Sequence, residues 1–250
     1  MPQSQPLPEK SQTLDRDTEP ISLSVFFPCY NEQANVARVT AGALEVLDAT
    51  GLDYEIILVN DGSADDTARI VDELAEKHPR VRTVHHQGNQ GYGAALQSGF
   101  RAAQKSWVFY TDGDGQFDLT DLPPLLKLVD DCDIVSCYRR QRQDPLVRKL
   151  NGWLWTQLVC LVFGMRIRDI DCAFKLYRRH IFDDMPLVST GALIDAEVLA
   201  RAHRMGCRIL QRPVTHLPRI GGEQTGANLR VILRAFKELW FLRQRIRSGD

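Results

Sequence analysis

No uninterrupted apolar stretch in the 250 residues reaches the ~20 that a membrane-spanning helix needs. The longest apolar segment, 153–165 (WLWTQLVCLVFGM), is broken by Thr156, Gln157 and Gly164. It fits either a buried core helix or an interfacial helix with Trp153 and Trp155 at headgroup level, flanked by Arg148, Lys149, Arg166 and Arg168. Charge of one sign is also missing: the formal net charge of −1 speaks against bulk nucleic-acid binding. The six cysteines (Cys29, Cys132, Cys137, Cys160, Cys172 and Cys207) contain no C-x-x-C pair, so reduced thiols of a cytoplasmic protein are expected rather than disulfides or a zinc site. The N-terminus lacks the apolar core of a signal peptide. With three prolines in its first eight residues, the segment 1–20 reads as a flexible leader. A Rossmann oxidoreductase is disfavoured, because GYGAAL (91–96) has no third glycine and does not follow the first strand.

What remains is an alternation of apolar strands and amphipathic helices. Strands are expected at 21–28, 54–60, 81–86, 106–111 and 132–138, with helices at 34–48, 64–77, 91–104 and 121–130 between them. The fold class is therefore α/β, a mostly parallel central sheet with helices on both faces. Later segments read as a strand around Phe174, Leu176 and Tyr177, an amphipathic helix over 191–206 and a strand over 207–213. A basic amphipathic helix follows at 229–250, fit either to lie on anionic lipid or to pack on the domain. The catalytic domain is placed at 21–228.

The chemistry is concentrated where strands end. Residues 107–118 (WVFYTDGDGQFD) run a strand straight into Asp112, Asp114 and Gln116, with Gly113 and Gly115 allowing a sharp turn. Two carboxylates and an amide oxygen are hard ligands suited to Mg²⁺ or Mn²⁺, which complete their octahedron with water and phosphate oxygens. Residues 24–32 (SVFFPCYNE) and 54–67 (YEIILVNDGSADDT) end in polar tips as well, so these tips share the carboxyl edge of the sheet, where open α/β sheets bind ligands. In GNQGYGAALQSGF (88–100) the glycines open a helix and offer backbone N–H groups to a phosphate. Arg139, Arg140, Arg142, Arg148 and Lys149 stand against a lone Asp144, and after a strand they read as anion clamps.

Taken together, PCYNE (28–32), VNDGSADDT (59–67), GNQGYGAA (88–95), DGDGQ (112–116) and DCAFKLYRR (171–179) resemble the family 2 inverting glycosyltransferases. Those enzymes have the nucleotide-sugar-binding GT-A fold. Within them the chain is most similar to the branch of dolichol-phosphate mannose synthase and the bacterial polyprenyl-phosphate glycosyltransferases. The resemblance implies inverting transfer of a sugar from a UDP- or GDP-sugar to a polyprenyl phosphate at the cytoplasmic face of a membrane, with peripheral membrane contact. It places Pro28, Tyr30, Glu32 and Asp61 around base and ribose, with Gly91, Gly93 and Asp112 also on the donor. The metal falls to Asp112, Asp114 and Gln116, with Asp114 essential to turnover.

By the same resemblance the acceptor lies near Arg139 and Arg148, with Asp171 and Lys175 close by, while Arg219 and Thr225 contact the leaving group or acceptor from the segment 216–228. An aspartate in the region of Asp195 is the general base in many relatives with hydroxyl acceptors. A sugar or glycan hydroxyl must lose a proton on attack, whereas a lipid phosphate is already anionic. Two readings therefore stay open: a polyprenyl phosphate acceptor with Asp195 positioning substrate, or a hydroxyl acceptor with Asp195 or Glu197 as base.

Overall fold

The computed structural model describes residues 20–140, 146–218 and 229–248. The chain opens with β1 (Ser22–Cys29), α1 (Val36–Asp48), β2 (Asp53–Asn60), α2 (Thr67–Lys77), β3 (Val81–His85), α3 (Tyr92–Ala102) and β4 (Trp107–Thr111). It continues through α4 (Leu122–Leu126), β5 (Ile134–Arg139), α5 (Leu146–Phe163) and β6 (Phe174–Arg178), and ends with α6 (Ile194–Arg204), β7 (Ile209–Val214) and α7 (Leu229–Ser248).

The seven strands form one sheet in the order β3-β2-β1-β4-β6-β5-β7. Successive strand residues point to opposite faces, so a strand buried along its whole length must be covered on both. β2 is buried from Tyr54 to Asn60 and β4 throughout. Helices accordingly lie on both faces: α1 packs with α2, while α3 meets α6, which in turn meets α7. On the α3 side Phe26 and Phe100 meet edge to face at 5.0 Å and Phe26 stacks on Tyr110 at 5.4 Å.

The sheet is parallel except at β6, which runs antiparallel to both β4 and β5. Its first residue, Phe174, pairs with Thr111, the last of β4. The chain thus leaves β5 and enters β6 at the same edge, because α5 and the segment after it return to that edge instead of crossing the sheet. This puts 169–173 beside the acidic turn after β4.

Two helices differ from the sequence expectation. The one expected at 121–130 shortens to α4, preceded by a 3₁₀ turn over Leu119–Asp121, because the Asp131 amide bonds the Leu128 carbonyl (3.0 Å) and turns the chain into β5. α5 begins at Leu146, seven residues before the apolar run, and tolerates Gly152 in its interior. Among its described side chains α7 packs one face on the domain, with Leu239, Leu242 and Ile246 buried, and leaves Trp240 and Phe241 exposed on the other.

Candidate active site

From β1 the chain moves outward to β2 and β3, then returns to β4 on the other side of β1. Such a reversal opens a crevice at the carboxyl ends of the strands. The ends of β1, β2 and β4 deliver 28–32, 61–67 and 112–116 to it, β6 adds 169–173, and α6 adds its first turn.

Asp112 follows β4 directly. The Tyr92 hydroxyl, from the first residue of α3, donates to its Oδ1 at 3.0 Å. Burial, then the charges of Asp114 and Asp195, push the Asp112 carboxyl up to about 7, against the opposing pull of Tyr92 and Lys175. Asp114 is buried, and its Oδ1 accepts the Gln116 amide N–H at 2.9 Å. Gln116 is tied to the segment after β7: its carbonyl accepts the Leu217 N–H (2.7 Å) and its side-chain amide reaches the Leu217 carbonyl (3.4 Å). Among the described residues no three His, Cys, Asp or Glu cluster as a metal cage. The fit is to a cation that takes a few oxygens from this turn, those of Asp112 and Asp114 foremost and Gln116 beside them, and the rest from substrate and water, as Mg²⁺ commonly does. The repulsion between Asp112 and Asp114 is the term such a cation would relieve.

On the donor side Tyr30 is exposed, while Glu32 is buried and accepts from Asn35 Nδ2 at 2.7 Å. The loops after β1 and β2 button together. The Asn31 N–H donates to Ser63 Oγ (3.0 Å), the Ala64 N–H to Asn31 Oδ1 (2.9 Å) and the Glu32 N–H to Thr67 Oγ1 (2.8 Å). Gly62, at φ 64°, allows the second loop to abut the backbone of Gly88, which a Cβ would strike.

Two expectations are corrected here. Asp61 is buried, and its carboxylate holds the N–H groups of Gln90 (2.8 Å) and Gly91 (2.9 Å) together with His86 Nδ1 (2.6 Å). It therefore shapes the glycine loop from below instead of facing a ribose. The amides of that loop are equally committed: the Gly91 N–H goes to Asp61, and the N–H groups of Gly93 (2.9 Å) and Ala94 (3.3 Å) go to the Thr190 carbonyl. Gly91 and Gly93 are needed because a Cβ at either would collide with the carbonyls of 189–191, not because they cradle phosphate.

The acceptor side is a set of internal ion pairs. Arg139 grips Asp169 with both Nε and Nη2 at 2.7 Å, so one edge of its fork is already taken. Asp171 is exposed at the surface of this segment; partial loss of solvation, followed by the charges of Asp195 and Asp169, raises its carboxyl to about 6. Lys175 is fully buried, and its Nζ donates to Asp195 Oδ1 (2.6 Å), the Cys172 carbonyl (2.6 Å) and Tyr110 Oη (3.1 Å). This corrects Lys175 as an acceptor ligand: three partners use the three donors an ammonium has. Asp195 Oδ1 also receives the Tyr110 hydroxyl. Glu197, fully buried, accepts the N–H groups of Val188 (3.1 Å) and Ser189 (2.7 Å) and Nε of Arg201 (2.9 Å), which corrects it as a general base. The side chain of Arg148, and Arg219 and Thr225 altogether, lie outside the described residues. The antiparallel bridge between Phe117 and His216 brings the chain just ahead of Arg219 alongside the acidic turn.

Sequence reasoning missed Tyr92, Tyr110 and Asp169 as working parts. Tyr92 stood inside a motif read only for its glycines, Tyr110 looked like strand core, and nothing local pairs Asp169 with an arginine thirty residues earlier.

Residues 24–185 match the sequence profile described as Glycosyl transferase family 2. The chain is 32% identical over 215 residues to the undecaprenyl-phosphate 4-deoxy-4-formamido-L-arabinose transferase of Klebsiella pneumoniae (strain 342), covering 84% of this chain and 64% of that protein. It thus spans less than two-thirds of the length of that relative. Among solved structures it resembles mannosyl-3-phosphoglycerate synthase from Rubrobacter xylanophilus, with a TM-score of 0.68 at 18% identity, covering 92% of this chain and 75% of that one. It also resembles glucosyl-3-phosphoglycerate synthase from Mycobacterium tuberculosis, crystallised with Mn²⁺, UDP and phosphoglyceric acid (TM-score 0.61, 20% identity, 91% and 76% covered). At these identities the structural likeness speaks for the GT-A fold alone.

Proposed function

The chain belongs to glycosyl transferase family 2, and from that premise we propose that it transfers a sugar from a UDP- or GDP-sugar to a polyprenyl phosphate, inverting the anomeric centre in a single displacement. The observation that carries the choice of acceptor is the state of the two acids expected as base. Asp195 is bound by Lys175 and Tyr110, and Glu197 is consumed by two backbone amides and Arg201. These carboxylates are engaged in holding Lys175, Tyr110, Arg201 and the backbone of 188–189, and a phosphate nucleophile, unlike a hydroxyl, needs no base.

The donor's base and ribose lie between the two buttoned loops, against Pro28 and Tyr30, on a floor held by Glu32 and Asp61. Mg²⁺ or Mn²⁺ held by Asp112, Asp114 and Gln116 would neutralise the charge that develops on the departing diphosphate. Arg139, oriented by Asp169, presents its remaining N–H groups to the acceptor phosphate, to which the sequence resemblance also assigns Arg148, Arg219 and Thr225. Lys175 holds Asp195 in place below. The name of the Klebsiella relative supports a lipid phosphate acceptor, and the M. tuberculosis complex supports a metal-bound nucleoside diphosphate.

An apolar stripe on α5 gives a place for the membrane. Leu150, Trp153, Leu154 and Leu161 are exposed, Leu161 at 82%, and α7 beside it adds Trp240 and Phe241. No helix among the described residues is long and apolar enough to cross a bilayer, and the contact proposed here is that of amphipathic helices lying in the interface.

The test is incubation with Mn²⁺ or Mg²⁺, a short polyprenyl phosphate and a panel of UDP- and GDP-sugars, with products read by mass spectrometry. A lipid-linked sugar monophosphate is the expected product, and Asp114→Ala should lose it while keeping the wild-type circular dichroism spectrum. Sugar appearing only on hydroxyl acceptors would overturn the acceptor assignment; full activity of Asp114→Ala would overturn the site.

A further inference from the structure

We infer that Tyr92 is a positioning residue for the first carboxylate of the acidic turn: its hydroxyl fixes Asp112 so that one oxygen is held by the protein and the other is left for the cation. The inference rests on the metal reading given above. A free carboxylate rotates about its Cβ–Cγ bond and offers either oxygen, alone or together. A donor at 3.0 Å on Oδ1 removes that freedom. Asp114 Oδ1 likewise accepts a scaffold donor, the Gln116 backbone N–H at 2.9 Å. Each acid of the pair is thus anchored through its Oδ1.

The phenol can do this only if α3 is itself immobile, and the structure spends several contacts on that. Asp61 holds the amides of Gln90 and Gly91 on one side of Tyr92, while the Thr190 carbonyl holds those of Gly93 and Ala94 on the other. Thr190 belongs to a strap, 188–191, pinned in turn by the Glu197 carboxylate through Val188 and Ser189 and by Gln97 Nε2 on the Ser189 carbonyl (2.9 Å). Gly91 and Gly93 let this strap approach to contact distance. The buried acid that looked like a base thus serves the metal site at a remove, through the strap, α3 and Tyr92.

The experiment is Tyr92→Phe, which removes one oxygen and keeps the ring. Wild type and variant of this chain are titrated with Mn²⁺ in the presence of UDP and, separately, GDP, and free Mn²⁺ is followed by electron paramagnetic resonance. Nucleotide affinity without metal and Tm are measured alongside. The expected result is roughly tenfold weaker Mn²⁺ binding, the size of effect typical when a group supporting a metal ligand is lost, with metal-free nucleotide affinity and Tm unchanged. Wild-type Mn²⁺ affinity in Tyr92→Phe would overturn the assignment, as would a parallel fall in metal-free nucleotide affinity and Tm, which marks a merely structural role. Wild-type protein that binds no Mn²⁺ with either nucleotide would overturn the metal reading itself, and this inference with it.

Discussion

Lys175 and Asp195 form an ion pair removed from solvent, at 0% and 5% side-chain exposure, with Tyr110 on the same carboxylate oxygen. A pair of this kind adds little net stability, because taking both charges out of water offsets most of their attraction. Losing one partner is another matter. Lys175→Met would leave the Asp195 carboxyl buried and short of its cation, at a cost of about 3–5 kcal/mol in urea unfolding. The double variant Lys175→Met with Asp195→Leu, which also removes the orphaned carboxyl, should regain much of that loss. If Lys175→Met unfolds at the wild-type urea concentration, the pair is not closed to solvent in solution. The same residues show why a side chain's chemical type is a poor guide to its task. A lysine in a motif, an aspartate in a first helical turn and a second acid two residues later all look like ligands or bases. The structure employs them as a counter-ion, a buried anchor and a clamp on backbone amides.

At the scale of the element, α5 combines a buried face, with Thr156 and Val159, and an exposed one carrying Leu150, Trp153, Leu154 and Leu161. Trp153→Glu with Leu161→Glu should abolish sedimentation with anionic vesicles and leave Tm unchanged, since neither side chain packs in the core; undiminished vesicle binding would remove α5 as the contact. Such a face could be read in the sequence as one of two alternatives but not chosen, because apolar periodicity says that a stripe exists and not what covers it. β1, β2 and β4 were the easiest elements to read: both of their faces are buried, so their apolar runs are continuous and bounded by turns. The orientation of β6 was not legible. Phe174, Leu176 and Tyr177 mark a strand, but its antiparallel insertion depends on which edge the chain after α5 returns to. The acidic turn at Asp112 and Asp114 was visible because a strand ran directly into it. The commitments of Asp61, Arg139 and Glu197 were not, since each partner lies in another element.

Across the whole molecule the carboxyl edge is an acidic floor, and that makes stability and metal binding depend on pH in opposite directions. Asp112, at about 7, and Asp171, at about 6, hold their protons in the folded state well above the ordinary carboxylate range near 3.9. Between about pH 4 and 7 the folded protein thus binds more protons than the unfolded chain, and for these two groups stability falls as pH rises through that window. Glu55 and Asp65 are shifted the other way, by Arg82 and Ser24 in the first case and by Thr67 and backbone amides in the second, and their contribution is lost only as pH falls below the ordinary carboxylate range. A divalent cation needs Asp112 ionised, so protons compete with it below about pH 7. Because a ligand that binds only the folded state raises Tm according to its concentration over Kd, the Tm gain from Mn²⁺ with UDP or GDP should be small at pH 5.5 and large at pH 8. Melting curves at both pH values, with and without Mn²⁺, measure that difference. Asp112→Asn isolates its source: the variant removes the titrating carboxyl, so it should lose most of the Mn²⁺-dependent gain at pH 8 and flatten the fall in metal-free stability toward neutral pH. A gain of equal size at both pH values would mean that the cation does not compete with a proton on Asp112.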